Sequence, residues 1–422
     1  MHEDRYGQRI TTNSDAAASA HREAMDLMLS AWPGALAAFE ESVAADNSFA
    51  LAHLGRARVL QMTARIPEAK AALAAARASI AQATAREQSQ AAIMSRLLEG
   101  DAPGALGAAE AHLIRYPRDA LVLSLLLGAF GLYAFSGRAD HDQARVALCE
   151  TLAGHYEGDW WFAGYMGWAL TEAGRRAEGL RLTELALERR PRNANAAHAL
   201  AHARFDRGEI QEGRSFVEAF LPGYERSGLL NDHLSWHLAL FALEQDDLAT
   251  ALAIYETRLK PAASTAPPLN AMTDAASLLW RIGLRTDAPD GLPWREVADY
   301  AQARFPQAGL PFADVHMAML EVMSGEGGKL ARRIAALEAL LANGRLPAGP
   351  VVPGLCRGIA AFASGAYDEA AQTLVPLLAE VVRLGGSGAQ RDMLSDTAVA
   401  ACLRSGREAE GRAILRRRMA AH

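Results

Sequence analysis

Residues 160–213 read WWFAGYMGWALTEAGRRAEGLRLTELALERRPRNANAAHALAHARFDRGEIQEG, and the fold is decided in this stretch. Gly174, Glu178 and Gly179 of EAGRRAEG return 34 residues later as Gly208, Glu212 and Gly213 of DRGEIQEG. Alanine-rich runs elsewhere, such as AALAAARASIAQATA, favour helix because alanine loses least entropy in that conformation. A helix-forming sequence that repeats at this interval is a stack of helical hairpins.

The period is that of the tetratricopeptide repeat. With the glycine between the two helices taken as position 15, Gly167 and Ala201 fall at the small position 8, Gly179 and Gly213 at small position 20, and Pro191 at the helix-ending position 32. A third unit follows after a four-residue insertion, with Ala239, Asp246, Ala251 and Tyr255 in the corresponding places. Weaker copies fit around Ala57 to Ala69, around Gly358, Gly365 and Ala370, and around Gly406 and Gly411. The expected fold is therefore all-α, a tetratricopeptide-like α-solenoid of helix hairpins closed on itself by a C-terminal helical lobe. Proline and glycine punctuate STAPPLN, TDAPDGLPW and FPQAGLP. The expected organisation is an N-terminal repeat lobe over residues 1–260, a punctuated connection with helical segments over 261–311, and a C-terminal lobe over 312–422.

Half of the 422 residues are hydrophobic and the net charge is −6, with lysine and arginine scattered among the acids. No basic stripe is present to neutralise a phosphate backbone, so nucleic acid is not an expected partner. Cys149, Cys356 and Cys402 form no CxxC and are widely separated, as in a reducing compartment. The N-terminus lacks a basic and apolar leader pattern, and no apolar run reaches the ~18 residues of a membrane span. The chain is expected to be cytoplasmic, with no membrane partner.

The histidines carry the chemistry. His198 and His202 form one His-x-x-x-His pair, and His233 and His237 form a second in the next hairpin. In the repeat register the first helix of each pair lines the concave surface. That places His198, His202 and His233 inward and leaves His237 at the groove edge or against the next helix. The same rule selects Trp161 and Trp168, and an acid ladder of Glu172, Asp206 and Glu244. Two imidazoles one turn apart can chelate one ion, and a third donor from a neighbouring helix leaves an open position. HExxH is absent, so no zincin-type base is supplied locally. Acid–base work by these histidines without a metal is the second option. A third is that they tie neighbouring repeats together. Trp161 and Trp168 suit packing between repeats better than a ligand platform. His53, His112 and His141 stand alone and are expected to be satisfied or surface histidines.

ANAAHALAHARFDRGEIQEG, NDHLSWHLALFALEQDDLATALAIYETRLKP, TDAASLLWRIGL, FADVHMAM and GGSGAQRDML together resemble the tetratricopeptide repeat protein 38 family over most of the chain. The resemblance implies the family's paired histidines at His198, His202, His233 and His237, an acid and histidine at Asp314 and His316, and a glycine-serine turn at Gly385, Gly386 and Ser387 followed by Gln390, Arg391 and Asp392. Gly388 stands where the family's GGSHAQRD pattern has histidine. The family brings no defined reaction with it.

If the C-terminal lobe folds over the groove, Arg391 is placed to recognise a carboxylate bidentately. The alternative is a structural Arg391–Asp392 pair, or a helix start capped by Ser387. The functional expectation is a concave pocket lined by histidine and acid that binds a small polar or carboxylate-bearing molecule. Hydrolysis, elimination or isomerisation by histidine or by a divalent metal such as zinc would suit such a pocket. No GxGxxG motif announces a nucleotide cofactor. The alternative is a non-catalytic scaffold that takes a peptide or protein partner in its groove; a homo-oligomer is compatible with either.

Overall fold

The computed structural model describes residues 2–286 and 289–421; Asp287 and Ala288 of the punctuated TDAPDGLPW segment lie outside them. Two short antiparallel strands, β1 (His2–Glu3) and β2 (Arg9–Ile10), precede an all-helical chain. The N-terminal helices are α1 (Asp15–Leu29), α2 (Ala35–Ala45), α3 (Ala50–Met62), α4 (Ile66–Ser79), α5 (Ala85–Glu99), α6 (Ala102–Arg115), α7 (Ala120–Leu126) and α8 (His141–Leu152). The middle hairpins are α9 (Trp160–Glu172) with α10 (Arg176–Arg189), α11 (Ala194–Asp206) with α12 (Ile210–Phe220), and α13 (Asn231–Glu244) with α14 (Leu248–Ile254). Then come α15 (Pro268–Leu284), α16 (Trp294–Arg304), α17 (Pro311–Met323), α18 (Gly327–Ala342), α19 (Val351–Ala363), α20 (Tyr367–Leu374), α21 (Gly388–Arg404) and α22 (Glu408–Ala421). No helix among the described residues is long and apolar enough to cross a membrane.

The 34-residue period is visible as geometry. Helix α11 begins 34 residues after α9, and the insertion falls in the turn between α12 and α13. Gly174 and Gly208, between the paired helices, have φ of +85° and +69°, a left-handed conformation that glycine adopts without a Cβ penalty. Asp246 takes the same place in the third hairpin at φ +57°; aspartate tolerates this region better than most side chains. Small positions 8 and 20 meet in the first hairpin: a Cβ on Gly179 would lie 2.6 Å from the Gly167 carbonyl oxygen. Backbone-to-backbone approach of α9 and α10 therefore requires glycine there. In the next hairpin Gly213 makes room for the Phe241 ring of α13.

The N-terminal end of the array packs onto a middle hairpin, and the C-terminal end packs onto α8 and the segment before it. The end of α1 meets the start of α11, where the Ala194 N–H donates to the Ser30 carbonyl at 2.9 Å and Asn195 Nδ2 donates to that of Leu29 at 2.8 Å. From the other end, the Gly386 N–H donates to the Ala129 carbonyl at 3.1 Å and His141 Nε2 to that of Val382 at 2.9 Å. One hydrophobic core runs from Tyr6 to Leu170 and a second from Ala31 to Ile414. This double closure turns the inner faces of α9, α11, α13, α15 and α21 toward one another.

Candidate metal centre

Helix α11 starts at Asn193, whose side chain accepts the Ala196 N–H, and its buried alanines at 196, 197, 199, 201 and 203 let neighbouring helices approach closely. The approach brings His198 and His202 of α11 against His233 and His237 of α13. One nitrogen from each of the four imidazoles lies within 4.8 Å of the others. Neighbouring ring centroids are 4.4 Å apart for His202 and His237 and 4.9 Å for His198 and His233. His237, which the repeat register left at the groove edge or against the next helix, is fully buried inside the cluster, and neither of its ring nitrogens has a hydrogen-bond partner. The register alone did not decide between the two, because α13 follows the four-residue insertion.

Carboxylates stand behind two of the rings. His233 Nδ1 lies 2.8 Å from Asp274 Oδ2 on α15, and the Trp236 indole stacks on the same imidazole with centroids 5.1 Å apart. Trp236 is itself fixed by donating Nε1–H to Ser277 Oγ at 3.0 Å. His202 Nδ1 lies 3.4 Å from Glu172 Oε1, short of hydrogen-bond geometry. The other oxygen of Glu172 accepts the Gly388 N–H of α21 at 2.7 Å and faces Arg391 at 3.8 Å. Inside the ring, His202 Nε2 and His198 Nε2 share a 2.9 Å hydrogen bond. His202, His233 and His237 are buried, and His198 alone is partly exposed.

Burial governs the protonation of this cluster. It pushes His202 down to about 3, with His233 and Arg391 adding to the effect. His198 and His237 lie well below the ordinary histidine value for the same first reason, followed by repulsion from neighbouring imidazoles. Burial, then Asp142, pushes the Glu172 carboxyl up to about 7, against the pull of Arg391, the Gly388 N–H and Arg145. Asp274 is likewise raised by burial, opposed by His233. Neutral imidazoles with free lone pairs are the form that coordinates a metal. A carboxylate on Nδ1 fixes the tautomer that turns Nε2 toward such an ion. A set of four nitrogens suits zinc, copper, nickel or iron; calcium and magnesium prefer oxygen.

The other expected site residues are distributed as follows. Glu172 joins the cluster. Arg391 reaches it only through Glu172, since its guanidinium is taken up by the Gly386 carbonyl at 2.7 Å and by Asp142 at 3.5 Å. Gln390 and Ser387 form the capping box that starts α21, the helix-start alternative noted from the sequence. Asp392 is partly exposed on the same helix. Asp314 pairs with Arg333 at 2.7 Å, away from the histidines. His316 Nδ1–H donates to the Phe312 carbonyl at 2.7 Å; its Nε2 is buried without a partner, and the residue is not one of the converging four. Trp161 packs among Tyr156 and Tyr165, and Trp168 lies under the Arg145 guanidinium at 4.3 Å. Asp206 is buried near the end of α11, and Glu244 forms a surface pair with Arg285 at 3.2 Å. His53, His112 and His141 each have a hydrogen-bond partner.

Sequence reasoning missed Asp274, Trp236 and the buried Asp142–Arg145 pair. Asp274 lies 41 residues beyond His233, so the repeat spacing gave no signal for it. A pocket of about 320 Å³, lined by Met28, Trp32, Met62, Leu229, Thr265 and Pro268 among others, opens beside the start of α15; its lining does not include the four histidines.

No family model matches the chain. Among solved structures, a tetratricopeptide repeat protein from Parabacteroides merdae is similar at 14% identity, over 74% of this chain and 98% of that one, with a TM-score of 0.33. Yeast Tom70 is similar at 14% identity over 95% of this chain and 87% of that one, with a TM-score of 0.36. The tetratricopeptide character of the middle hairpins stands on their own period, glycines and packing.

Proposed function

We propose that the chain is a tetratricopeptide repeat protein 38 relative in which His198, His202, His233 and His237 form a centre for one divalent transition-metal ion such as zinc. The centre serves a small polar or carboxylate-bearing molecule, in hydrolysis, elimination or isomerisation. The observation that carries this reading is the convergence of four imidazole nitrogens within 4.8 Å, two of them on buried rings backed by carboxylates. A bound ion would supply Lewis-acid polarisation of an oxygen on that molecule. The chain's own residues supply the rest: Asp274 orients His233, Glu172 faces His202, and the apolar walls around Trp236 keep bulk water from the buried rings. Three buried free thiols fit the cytoplasmic setting that belongs to this proposal.

Metal analysis of purified full-length protein tests the reading. One equivalent of metal in the wild type, lost in both His202→Ala and His237→Ala, supports it. Absence of metal after incubation with zinc, cobalt or nickel removes it. A second reading is favoured by the burial of three rings and by the direct His198–His202 bond. In that case the histidines are internal ties of a non-catalytic scaffold for a peptide or protein partner, and both variants lose stability with no metal at stake.

A further inference from the structure

Helix α15 meets α13 along one face, and the contacts keep step along both helices. Asp274, Ser277 and Arg281 lie three and four residues apart, so they share one side of α15. Asp274 Oδ2 stands 2.8 Å from His233 Nδ1, and one turn further on Ser277 Oγ accepts the Trp236 Nε1–H at 3.0 Å. Each pair is separated by 41 residues in the chain, so the second contact repeats the first at the same offset. The Ser277 hydroxyl donates in turn to the Asp274 carbonyl at 3.3 Å, which leaves an oxygen lone pair for the indole. The Arg281 guanidinium adds a third contact, 5.5 Å from the indole centroid.

The indole held in this way touches two of the four histidines. It stacks on His233 with 11° between the planes and centroids 5.1 Å apart, and it meets His237 edge-on, at 78° and 4.9 Å. The two imidazoles themselves stand 80° apart at 5.0 Å, and the fully buried indole packed against both fixes that angle. An imidazole that gives its lone pair to a cation gains positive charge, and the negative face of a stacked indole favours that state.

We infer that Trp236 is a positioning residue of the metal centre: held by Ser277, it sets the angle between the two ligands of α13 and favours the metal-bound form of His233. This inference rests on the metal reading above. Packing is the competing account, because a buried indole fills space whatever it touches. Trp280 supplies the comparison. It is buried in the same hydrophobic core and donates its Nε1–H to Thr397 Oγ1 at 2.8 Å, but its ring contacts are with Trp294 and Phe362.

The test uses cobalt(II) on the full chain. Affinity is measured by competition with a chelator, coordination by the visible absorption bands, and stability by urea denaturation. Trp236→Leu should weaken cobalt binding by about 10–100-fold, the effect of losing a group that orients a metal ligand, and should shift the visible bands. Trp236→Phe returns a stacking ring without the N–H and should recover most of that affinity. Ser277→Ala leaves the indole in place without its hydrogen bond and should shift the bands with little loss of stability. Trp280→Leu should lose stability as Trp236→Leu does, yet keep wild-type affinity and bands. Equal losses of affinity in the two leucine variants, wild-type affinity and bands in Trp236→Leu, or a Trp236→Phe protein no better than Trp236→Leu, overturns the inference and leaves the indole as packing. If Trp236→Leu does not fold, Ser277→Ala decides: shifted bands support the inference and wild-type bands overturn it. A wild type that binds no cobalt instead overturns the metal reading itself. Near-ultraviolet circular dichroism on each variant separates a displaced ligand from a lost fold.

Discussion

Asp274 Oδ2 on α15 sits 2.8 Å from His233 Nδ1 on α13, and both side chains are buried, so the carboxylate fixes the orientation of the imidazole across two helices. Its other oxygen has no hydrogen-bond partner. A carboxylate held behind a metal-ligating histidine changes metal affinity by roughly 10–100-fold when it is lost. Asp274→Asn should therefore weaken cobalt binding by about that factor while the stoichiometry at saturation remains one. Competition against a chelator of known affinity measures it; an unchanged affinity would mean that the pair holds the helices together and nothing more.

The glycines of the first hairpin should be intolerant of even a methyl group. Gly179→Ala places a Cβ 2.6 Å from the Gly167 carbonyl oxygen, where backbone must give way, at a cost of about 1–3 kcal/mol. Gly107, inside α6 with open space around it, provides the contrast. There the same substitution should stabilise by about 0.5–1 kcal/mol through helix propensity alone. Urea denaturation of both variants reads the difference, and equal effects would refute close packing as the role of Gly179.

His21 should make stability depend on pH. It is buried between Phe39 and Phe49 with neither nitrogen partnered, and burial pushes it down to about 3, with Arg86 next. Below the ordinary histidine range the unfolded chain takes up a proton that the folded chain refuses. Stability is therefore retained at neutral pH and lost as pH falls toward the folded value. Between about pH 6 and about pH 4 this one group contributes a slope of about 1.4 kcal/mol per pH unit. His21→Leu should flatten the wild-type pH–stability profile by that slope; parallel profiles for the two proteins would contradict the assignment.

Arg333 bridges two buried acids, with Nη1 2.7 Å from Asp314 and Nη2 3.0 Å from Glu321. Removing it by Arg333→Met leaves both carboxylates without their cation, a loss of about 3–5 kcal/mol. Metal content of the folded fraction should be unchanged, since Asp314 belongs to this bridge and lies outside the histidine cluster. A parallel loss of metal would tie Asp314 to the site after all.

The hairpins were legible because their signals are local and periodic. Gly174 and Gly208 mark turns that demand φ above zero, Gly167 and Gly179 mark a helix crossing, and the interval between the copies is the length of one hairpin. Those properties depend on neighbours a few residues away or on the adjacent repeat. Three of the four histidines followed from the same register. Glu172 was found by the inward rule, whereas Glu244, selected by that rule too, is spent on Arg285 at the surface.

What the sequence determined by itself was therefore the repeat, the all-helical class and the inward direction of His198, His202 and His233. These follow from side-chain periodicity along single helices and from conformations that glycine alone adopts easily. The tertiary structure decided which inward groups meet. The packing of α13 against α11 brought His237 into the cluster, α15 brought Asp274 behind His233, and the return of α21 set the Gly388 N–H against Glu172. The physical reason is that a periodic pattern specifies direction within a repeat. Contact between groups 41 or 216 residues apart depends on the accumulated twist of the stack and on how its ends close.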